Sequence, residues 1–448
     1  MPKQRHAYCC DAMDLPSRCV QVDPFLGRYY ANRSAESIAE EIAVHGFNGI
    51  QMIVTRDSRV HREVLNALRK REIHVDYTTF GNGTYDTHDL PDGWQKWRMV
   101  TRQPMNDGYT RLCLNHPEYR RWKKTQIAVV LSQYPFDGVH IMEPFWPEYP
   151  GPTAPAYACL CERCRSLFVQ RYSGEQPPEF HDESHPRFWR KQPELYAKWV
   201  EFRVQSHTDF LNDLLNGVGG IRKTHPQLPV TVWILAIDVP DPVRFVREVH
   251  GQDIAEVVRQ VRPDAVCLQT HWLDWIKADL APGYVCAYQP LVKAAREVRP
   301  NFPIMVQTDI GSQPQNRRSW QWIEAFREAC RGVGIQSTTL YEYMLGMYIY
   351  ADPPKAVKAT RESRNTVLLV FNKRLDARSA GQKERYAFAP PLEINRIEVD
   401  GNMVRLYTAP MRAKQRYRLT IQGVSDDPSV RWLPDTPALT LSGQTVTV

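Results

Sequence analysis

The sequence predicts an α/β fold: a (β/α)8 barrel followed by a small all-β sandwich. Up to about Ala351, short apolar segments alternate with segments whose apolar residues recur at helical spacing. This is the pattern of parallel strands connected by helices. Beyond Ala351, apolar and polar residues alternate with a period of two, which is typical of half-buried strands. No glycine-rich phosphate-binding motif follows a predicted strand, which favours a closed barrel over an open nucleotide-binding sheet.

Eight short segments are predicted to form the barrel strands. Most are nearly continuous apolar runs, as expected for strands that are covered on both faces. The helical spacing between them predicts the connecting helices, of which the first follows the N-cap candidate Ser34 and the longest covers residues 194–215. The predicted strands are residues 6–11, 49–54, 73–80, 139–142, 229–238, 264–272, 302–311 and 335–343.

A polar, proline-containing connector after Ala351 separates the two predicted regions. We assign residues 1–360 to the barrel and residues 365–448 to the sandwich, in which turn residues separate the period-two segments. Three segments, residues 365–376, 399–411 and 415–426, resemble bacterial immunoglobulin-like modules, which are often appended to extracellular or cell-envelope proteins. The resemblance slightly favours an exported or cell-envelope location, although the first ten residues lack the apolar core of a secretory signal.

Composition excludes several classes of protein. With 43% hydrophobic residues among 448, the chain has enough apolar side chains for a large core, and disorder is not expected. The net charge of +7 is spread along the chain without a block of like charges, so no nucleic-acid partner is predicted. No apolar run approaches the ~20 residues that a transmembrane helix requires. A homo-oligomer is compatible with these features.

The fourth predicted strand carries the first candidate catalytic residue. Strand residues 139–142 are followed by Glu143-Pro144, and proline is expected to hold Glu143 in extended backbone where the strand leaves the sheet. The C-terminal ends of barrel strands form the catalytic face of this fold. Phe145 and Trp146 come next, and such aromatic side chains can stack on sugar rings. The alternative is a surface loop with local aromatic packing.

A cysteine cluster follows in the same loop. Three of the ten cysteines stand at the spacing C-x-C-x-x-C: Cys159, Cys161 and Cys164. Thiols at this spacing can point at one tetrahedral zinc ion, which then needs a fourth ligand. We choose Cys113, in the preceding strand-to-helix loop, with His116 or His181 as alternatives. Four protein ligands leave no open position, so this zinc would be structural. The alternative is a set of reduced structural cysteines.

These motifs together resemble glycoside hydrolase family 42, the zinc-containing β-galactosidases. The matching features are the strand that ends in Glu143-Pro144, the C-x-C-x-x-C loop, Arg165, Phe168 and Arg171-Tyr172. The resemblance implies a TIM barrel of about the first 360 residues, with Glu143 as the general acid/base. That family has asparagine before its glutamate and this chain has Met142, so galactoside specificity is not carried over.

A glycosidase requires a second, ionised carboxylate on the same face. The other carboxylates at predicted strand ends are Asp11, Asp238, Asp309 and Glu342. The family has its nucleophile at the end of strand seven, which by our count is Asp309. If the count is shifted by one strand, the nucleophile is Glu342, and both assignments stay open. The resemblance implies a retaining mechanism.

Five further residues are second-tier candidates for binding the substrate: Trp146, His271, Trp272, Gln307 and Asp11. Together these features predict a glycoside hydrolase that acts on an unidentified oligo- or polysaccharide through two carboxylates. The leading alternative is a non-catalytic carbohydrate-binding barrel that has lost the second carboxylate. A metal-dependent hydrolase would need histidines and carboxylates at several strand ends, and the sequence offers no such set.

Overall fold

Eight parallel strands close into a barrel in the computed structural model, which describes residues 14–147, 150–434 and 436–448. Each strand pairs with its neighbours along the chain, and β8 closes onto β1. This confirms the (β/α)8 fold. The strands β1 to β8 are Arg18–Val22, Gly49–Ile53, His74–Phe80, Gly138–Met142, Val230–Ala236, Ala265–Thr270, Ile304–Asp309 and Ser337–Tyr341.

The first strand differs from the prediction. The barrel begins with β1 at Arg18–Val22, where Val20 pairs with both Ile50 of β2 and Leu340 of β8. The predicted strand at residues 6–11 lies outside the described residues. Arg18 and Gln21 interrupt the apolar pattern of β1. This strand therefore lacks the continuous apolar run that predicts the other strands. The other seven predicted strands each overlap an observed one.

Helices connect the barrel strands. The first of them confirms its predicted cap, because the Ser34 hydroxyl accepts a hydrogen bond from the backbone N–H of Ser37. The long loop after β3 carries a two-stranded hairpin, formed by Gly83–Thr84 and Thr110–Arg111. The main helices α1 to α8 are Ala35–Val44, Arg62–Lys70, Pro117–Gln133, Glu162–Arg171, Pro193–Asn216, Pro242–His250, Gln289–Val298 and Trp320–Gly332.

The interior of the barrel is partly polar. Asp76 of β3 lies 2.7 Å from His74 Nε2 and 3.3 Å from His140 Nε2, and it also accepts a hydrogen bond from the Gln51 side chain. His140 in turn accepts a hydrogen bond of 3.1 Å from the indole N–H of Trp233. These polar groups are hydrogen-bonded to one another, which offsets the desolvation cost of burying them. They also fix the orientation of Trp233 in the barrel.

The C-terminal region is all β, as predicted. Strands β9 to β15 are Ala356–Ser363, Thr366–Phe371, Tyr386–Ala389, Ile394–Asp400, Met403–Thr408, Arg418–Ile421 and Gln444–Thr447. They form a four-stranded antiparallel sheet in the order β9-β10-β13-β12 and a three-stranded one in the order β11-β14-β15. The predicted connector is wrong for Ala356–Ser363, because these residues form strand β9. This edge strand is mostly exposed and charged, so its composition resembles a linker although its backbone pairs with β10.

The C-terminal region is bound to the loop that follows β1. The guanidinium of Arg374 donates hydrogen bonds to the backbone carbonyls of Arg28, Tyr29 and Ala31, at 3.0, 2.5 and 2.7 Å. Nearby, the guanidinium of Arg33, which pairs with Glu41 at 2.7 Å, also donates a hydrogen bond of 3.0 Å to the side-chain oxygen of Asn402. Because the contacts of Arg374 and the Arg33–Asn402 contact join residues far apart in the chain, the two regions stabilise each other.

Among the described residues, no helix is both long enough and apolar enough to cross a membrane.

We expect Arg374→Ala to lower the free energy of unfolding by about 1–3 kcal/mol, because three carbonyl groups lose a charged hydrogen-bond donor at once. Urea-induced unfolding of the purified variants measures this. Arg378→Ala is the matched control, since Arg378 is exposed on a short helix of the same region, and it should change stability by less than about 0.5 kcal/mol. Equal stability of Arg374→Ala and the parent protein would contradict the expectation.

Candidate active site

A cleft of about 490 Å³ opens at the C-terminal ends of the barrel strands, which is the catalytic face of this fold. A second cavity of about 400 Å³ adjoins it. Four residues line both spaces: Tyr85, Glu143, Gln269 and Trp275. Glu143 therefore lies at the boundary between two cavities, with room for a ligand group on either side of its carboxyl group.

Glu143 follows β4 directly and is held by two neighbouring side chains. Its carboxyl oxygens accept hydrogen bonds from the amide of Gln269, at 3.1 Å, and the hydroxyl of Tyr109, at 3.2 Å. Burial raises the pKa of Glu143 above its ordinary value, and these two donors only partly offset that effect. A raised pKa is what a general acid needs near neutral pH.

The backbone of Glu143 corrects one prediction. Its φ is +52°, in the left-handed region, and not in the extended geometry that a following proline favours. The Glu143 carbonyl accepts a hydrogen bond from the N–H of Phe145 at 3.1 Å, which closes a tight turn at the end of the strand. Non-glycine residues in this region cost about 1–3 kcal/mol and cluster at functional sites.

Asp309, the last residue of β7, also lines the cleft. One of its oxygens accepts hydrogen bonds from the N–H groups of Gly311 and Ser312, both at 2.9 Å, and from the Asn316 amide at 3.0 Å. The other oxygen accepts the Ser312 hydroxyl. Burial raises the pKa of Asp309, although these donors favour its ionised form. Asp309 therefore organises its own loop and faces the cleft at the same time.

Glu342 is not among the residues that line the cleft, which disfavours its predicted catalytic role. The residue is completely buried and is absent from the lining of both cavities. It accepts hydrogen bonds from the Tyr30 hydroxyl at 2.6 Å and from the backbone N–H groups of Asp23 and Met344 at 3.2 and 2.9 Å. Burial raises the pKa of Glu342 to about 8, although these three donors favour its ionised form. Its role is to pack the loops after β1 and β8 together.

Sequence reasoning missed Asp23, which lines the cleft one residue beyond β1. Its oxygens accept hydrogen bonds from the Phe25 N–H at 2.9 Å and the Thr55 hydroxyl at 3.2 Å. Burial raises the pKa of Asp23. A signal was present, because Asp23-Pro24 repeats the arrangement of Glu143-Pro144, a carboxylate and a proline directly after a strand. The first strand was predicted at residues 6–11, so Asp23 did not stand at a predicted strand end.

Two carboxamides in the cleft have polar atoms without a partner. The side-chain nitrogen of Gln21 and the side-chain oxygen of Gln307 are both buried, and neither has a hydrogen-bond partner among the described residues. A sugar hydroxyl can both donate and accept a hydrogen bond, so it would satisfy either group. Gln307 was predicted to bind substrate and lies where it can do so. Gln21 was not predicted.

The remaining binding candidates divide into three cases. Trp272 is 40% exposed and lines the second cavity, as a sugar-stacking residue would. Trp146 and His271 are both buried and line neither cavity, which disfavours their predicted role in binding substrate. Trp146 instead donates its indole N–H to the Arg203 carbonyl at 2.8 Å, and His271 caps the short helix Trp272–Trp275. Asp11 lies outside the described residues.

The four predicted cysteines meet in one cluster. The sulfur atoms of Cys113, Cys159, Cys161 and Cys164 all lie within 4.8 Å of one another, and Cys113 is 3.9 Å from Cys161 and 3.6 Å from Cys164. Zinc–sulfur bonds of about 2.3 Å in a tetrahedron place sulfurs about 3.8 Å apart, so the cluster can hold a metal ion. Hydrogen bonds from the Cys113, Cys159 and Cys164 thiols hold the pKa of Cys161 below its ordinary value.

The choice of Cys113 as the fourth member of the cluster is confirmed, and neither alternative, His116 or His181, belongs to it. Cys113 lies four residues after Tyr109, on the segment that includes the hairpin strand Thr110–Arg111. The cluster thus anchors the segment whose Tyr109 hydroxyl reaches Glu143.

No protein-family model matches the chain, and no curated protein matches it in sequence. Solved structures do match. The glycoside hydrolase domain of PgaB (BpsB) from Bordetella bronchiseptica is similar with a TM-score of 0.53 at 16% identity, over 73% of this chain and 94% of that one.

Two β-galactosidases match over the same share of this chain, 73%. The enzyme from Bacillus circulans sp. alkalophilus has a TM-score of 0.52 at 13% identity, with 50% of its own chain covered. A catalytic mutant of Gan42B, a GH42 β-galactosidase from G. stearothermophilus, has a TM-score of 0.51 at 15% identity, with 51% covered. This chain therefore spans about half the length of these two enzymes. At such identities the matches show the fold alone, a TIM barrel.

Proposed function

We propose that this protein is a glycoside hydrolase that cleaves an unidentified oligo- or polysaccharide, with Glu143 as its general acid. The observation that carries the proposal is the position of Glu143 at the wall shared by two cavities. With one sugar unit in each cavity, the glycosidic oxygen between them would lie beside the carboxyl group. The raised pKa of Glu143 keeps a larger protonated fraction available for transfer to the leaving oxygen.

The second carboxylate in this proposal is Asp309. It faces the same cleft. Burial raises its pKa, but four hydrogen-bond donors oppose that shift and favour the ionised form that a nucleophile or general base requires. Asp23 faces the cleft as well and accepts fewer hydrogen bonds, so it is the second candidate for this role. The resemblance to glycoside hydrolase family 42 supports the assignment of Glu143 and implies retention of configuration.

Sugar binding in this proposal uses groups of two kinds. Gln21 and Gln307 present buried, unpartnered amide atoms that suit hydroxyl groups. Trp272 and Tyr85 present exposed aromatic surface at the cavities, which suits the apolar face of a sugar ring.

We expect Glu143→Gln to lower turnover by ~10² to 10⁴ for glycosides with poor leaving groups, which need a proton, and much less for activated aryl glycosides. In the parent protein, kcat/KM for the poor leaving groups should fall as pH rises through the pKa of Glu143, because the ionised carboxylate cannot donate. That decline should be missing in Glu143→Gln. Steady-state kinetics on a panel of aryl glycosides and natural oligosaccharides measures both effects.

Glu63→Gln is the matched control, because Glu63 is exposed on α2, and it should leave turnover unchanged. Parent-like rates for Glu143→Gln on every substrate would refute the assignment. Carbohydrate binding without turnover by the parent protein would instead favour the non-catalytic alternative. The partner of Glu143 is identified by comparing Asp309→Asn with Asp23→Asn: the variant whose turnover collapses and is restored by azide, a small external nucleophile, has lost the nucleophile.

The cysteine cluster is assigned a structural zinc ion. Cys113, Cys159, Cys161 and Cys164 would hold it as four thiolates, a closed set that supplies no catalytic position. Its contribution would be to the loop after β4 and to the segment that carries Tyr109.

We expect the purified protein to contain about one zinc ion per chain and Cys161→Ser to lose it, with a lower melting temperature, because metal binding and folding are coupled in such sites. Inductively coupled plasma mass spectrometry measures the metal content. Cys286→Ser is the control, since Cys286 is exposed and lies outside the cluster, and it should retain the zinc. A zinc-free parent protein, or unchanged zinc in Cys161→Ser, would refute the assignment.

A further inference from the structure

The C-terminal region reaches the catalytic face of the barrel at Trp432. Gly27 lies in the loop after β1, and a Cβ atom at Gly27 would be 3.6 Å from Trp432 Cε3 and 3.2 Å from Met344 Cε. Gly27 directly follows Phe25 and Leu26, which line the cleft. Met344 lies just beyond β8. The Trp432 indole therefore lies beside the loop after β1, next to the segment of that loop that lines the cleft.

The exposure of Trp432 follows the pattern of the cleft aromatics. Among the described residues, four large aromatic side chains are markedly exposed: Phe25, Tyr85, Trp272 and Trp432. The first three line the cleft or the adjoining cavity. Trp432 is 41% exposed and contacts the loop that carries Phe25. Scattered exposed aromatics need no explanation, but these four are all associated with the same face.

The position of Trp432 is rigid on both sides. The backbone N–H of the next residue, Leu433, donates a hydrogen bond of 3.2 Å to the Tyr350 hydroxyl. The preceding residue, Arg431, is buried and pairs with Asp426. Lys373 shares Asp426 at 2.5 Å. Because its neighbours in the chain are fixed, the backbone of Trp432 loses little conformational entropy when the side chain binds a ligand.

We infer that Trp432 forms an additional carbohydrate subsite, on which a sugar unit beyond the cleft stacks. The inference rests on the proposed function and makes it more specific: the substrate is a chain that extends from the cleft past the loop after β1, not a small glycoside. The indole face is large and apolar, which suits the apolar face of a sugar ring. The C-terminal region thereby becomes part of the binding surface.

The experiment compares short and long substrates in Trp432→Ala. Native gel electrophoresis in galactan, arabinoxylan, dextran and carboxymethyl cellulose first identifies a polysaccharide that retards the parent protein. Hydrolysis of oligosaccharides of that polysaccharide is then measured against chain length. We expect kcat/KM of Trp432→Ala to fall about tenfold for long chains and to stay within about twofold for an aryl glycoside of the same sugar. Trp432→Phe, which retains an aromatic ring, should lose less.

Tyr407→Ala is the matched control. Tyr407 lies on β13, where its ring packs against Arg396 and its hydroxyl bonds to Glu398, and its removal should change neither retardation nor kcat/KM. An unchanged long-chain kcat/KM in Trp432→Ala, or an equal loss for short and long substrates, overturns the inference and leaves the proposed function standing. A parent protein that is not retarded and hydrolyses no carbohydrate overturns both.

Discussion

The register of the closed barrel decides which side chains reach the cleft. Side chains alternate between the inside and the outside of a barrel strand, and pairing places Gln269 of β6 opposite Gln307 of β7, and Asp309 opposite Tyr341 of β8. All four line the cleft. A shift of one residue in any of these strands would exchange an inward side chain for an outward one. The candidate site therefore depends on the backbone pairing of strands that are far apart in sequence.

The polar interior of the barrel supports this arrangement from below. Trp233 lines the cleft, and its indole N–H is held by His140, which in turn lies against Asp76. A buried hydrogen-bonded network defines one orientation more strictly than apolar packing does. The orientation of Trp233 at the floor of the cleft is thus fixed by hydrogen bonds.

Two elements outside the barrel brace opposite sides of the cleft. On one side, the cysteine cluster anchors the segment that brings Tyr109 to Glu143. On the other side, the C-terminal region binds the loop after β1 through Arg374, close to Asp23 in the chain. A TIM barrel supplies a stable frame but leaves its strand-to-helix loops long and variable. In this protein those loops are tied down by contacts that the barrel itself does not provide.

The sequence by itself determined the features that depend on local pattern. The strand–helix alternation, the position of Glu143 after β4 and the C-x-C-x-x-C spacing are all local features. The first two were predictable because buried residues recur with a fixed period along strands and helices. The third was predictable because metal-binding cysteines stand at short, characteristic spacings. Cys113 was predictable as the fourth member of the cysteine cluster because neighbouring barrel loops lie side by side. Strands with interrupted patterns were not predictable in this way. Gln21 interrupts the apolar pattern of β1, and the exposed and charged side chains of β9 give this edge strand the composition of a linker.

Only the tertiary structure decided which candidate side chains face the cleft. Trp146 packs inward against Arg203, and Glu342 is enclosed by the loops after β1 and β8. Neither orientation can be read from neighbouring residues, since each depends on a partner that is distant in the chain. Asp23 carries a local signal in the proline that follows it, but its position at the cleft follows from the closure of β8 onto β1. The position of Trp432 follows from the docking of the C-terminal region on the loop after β1.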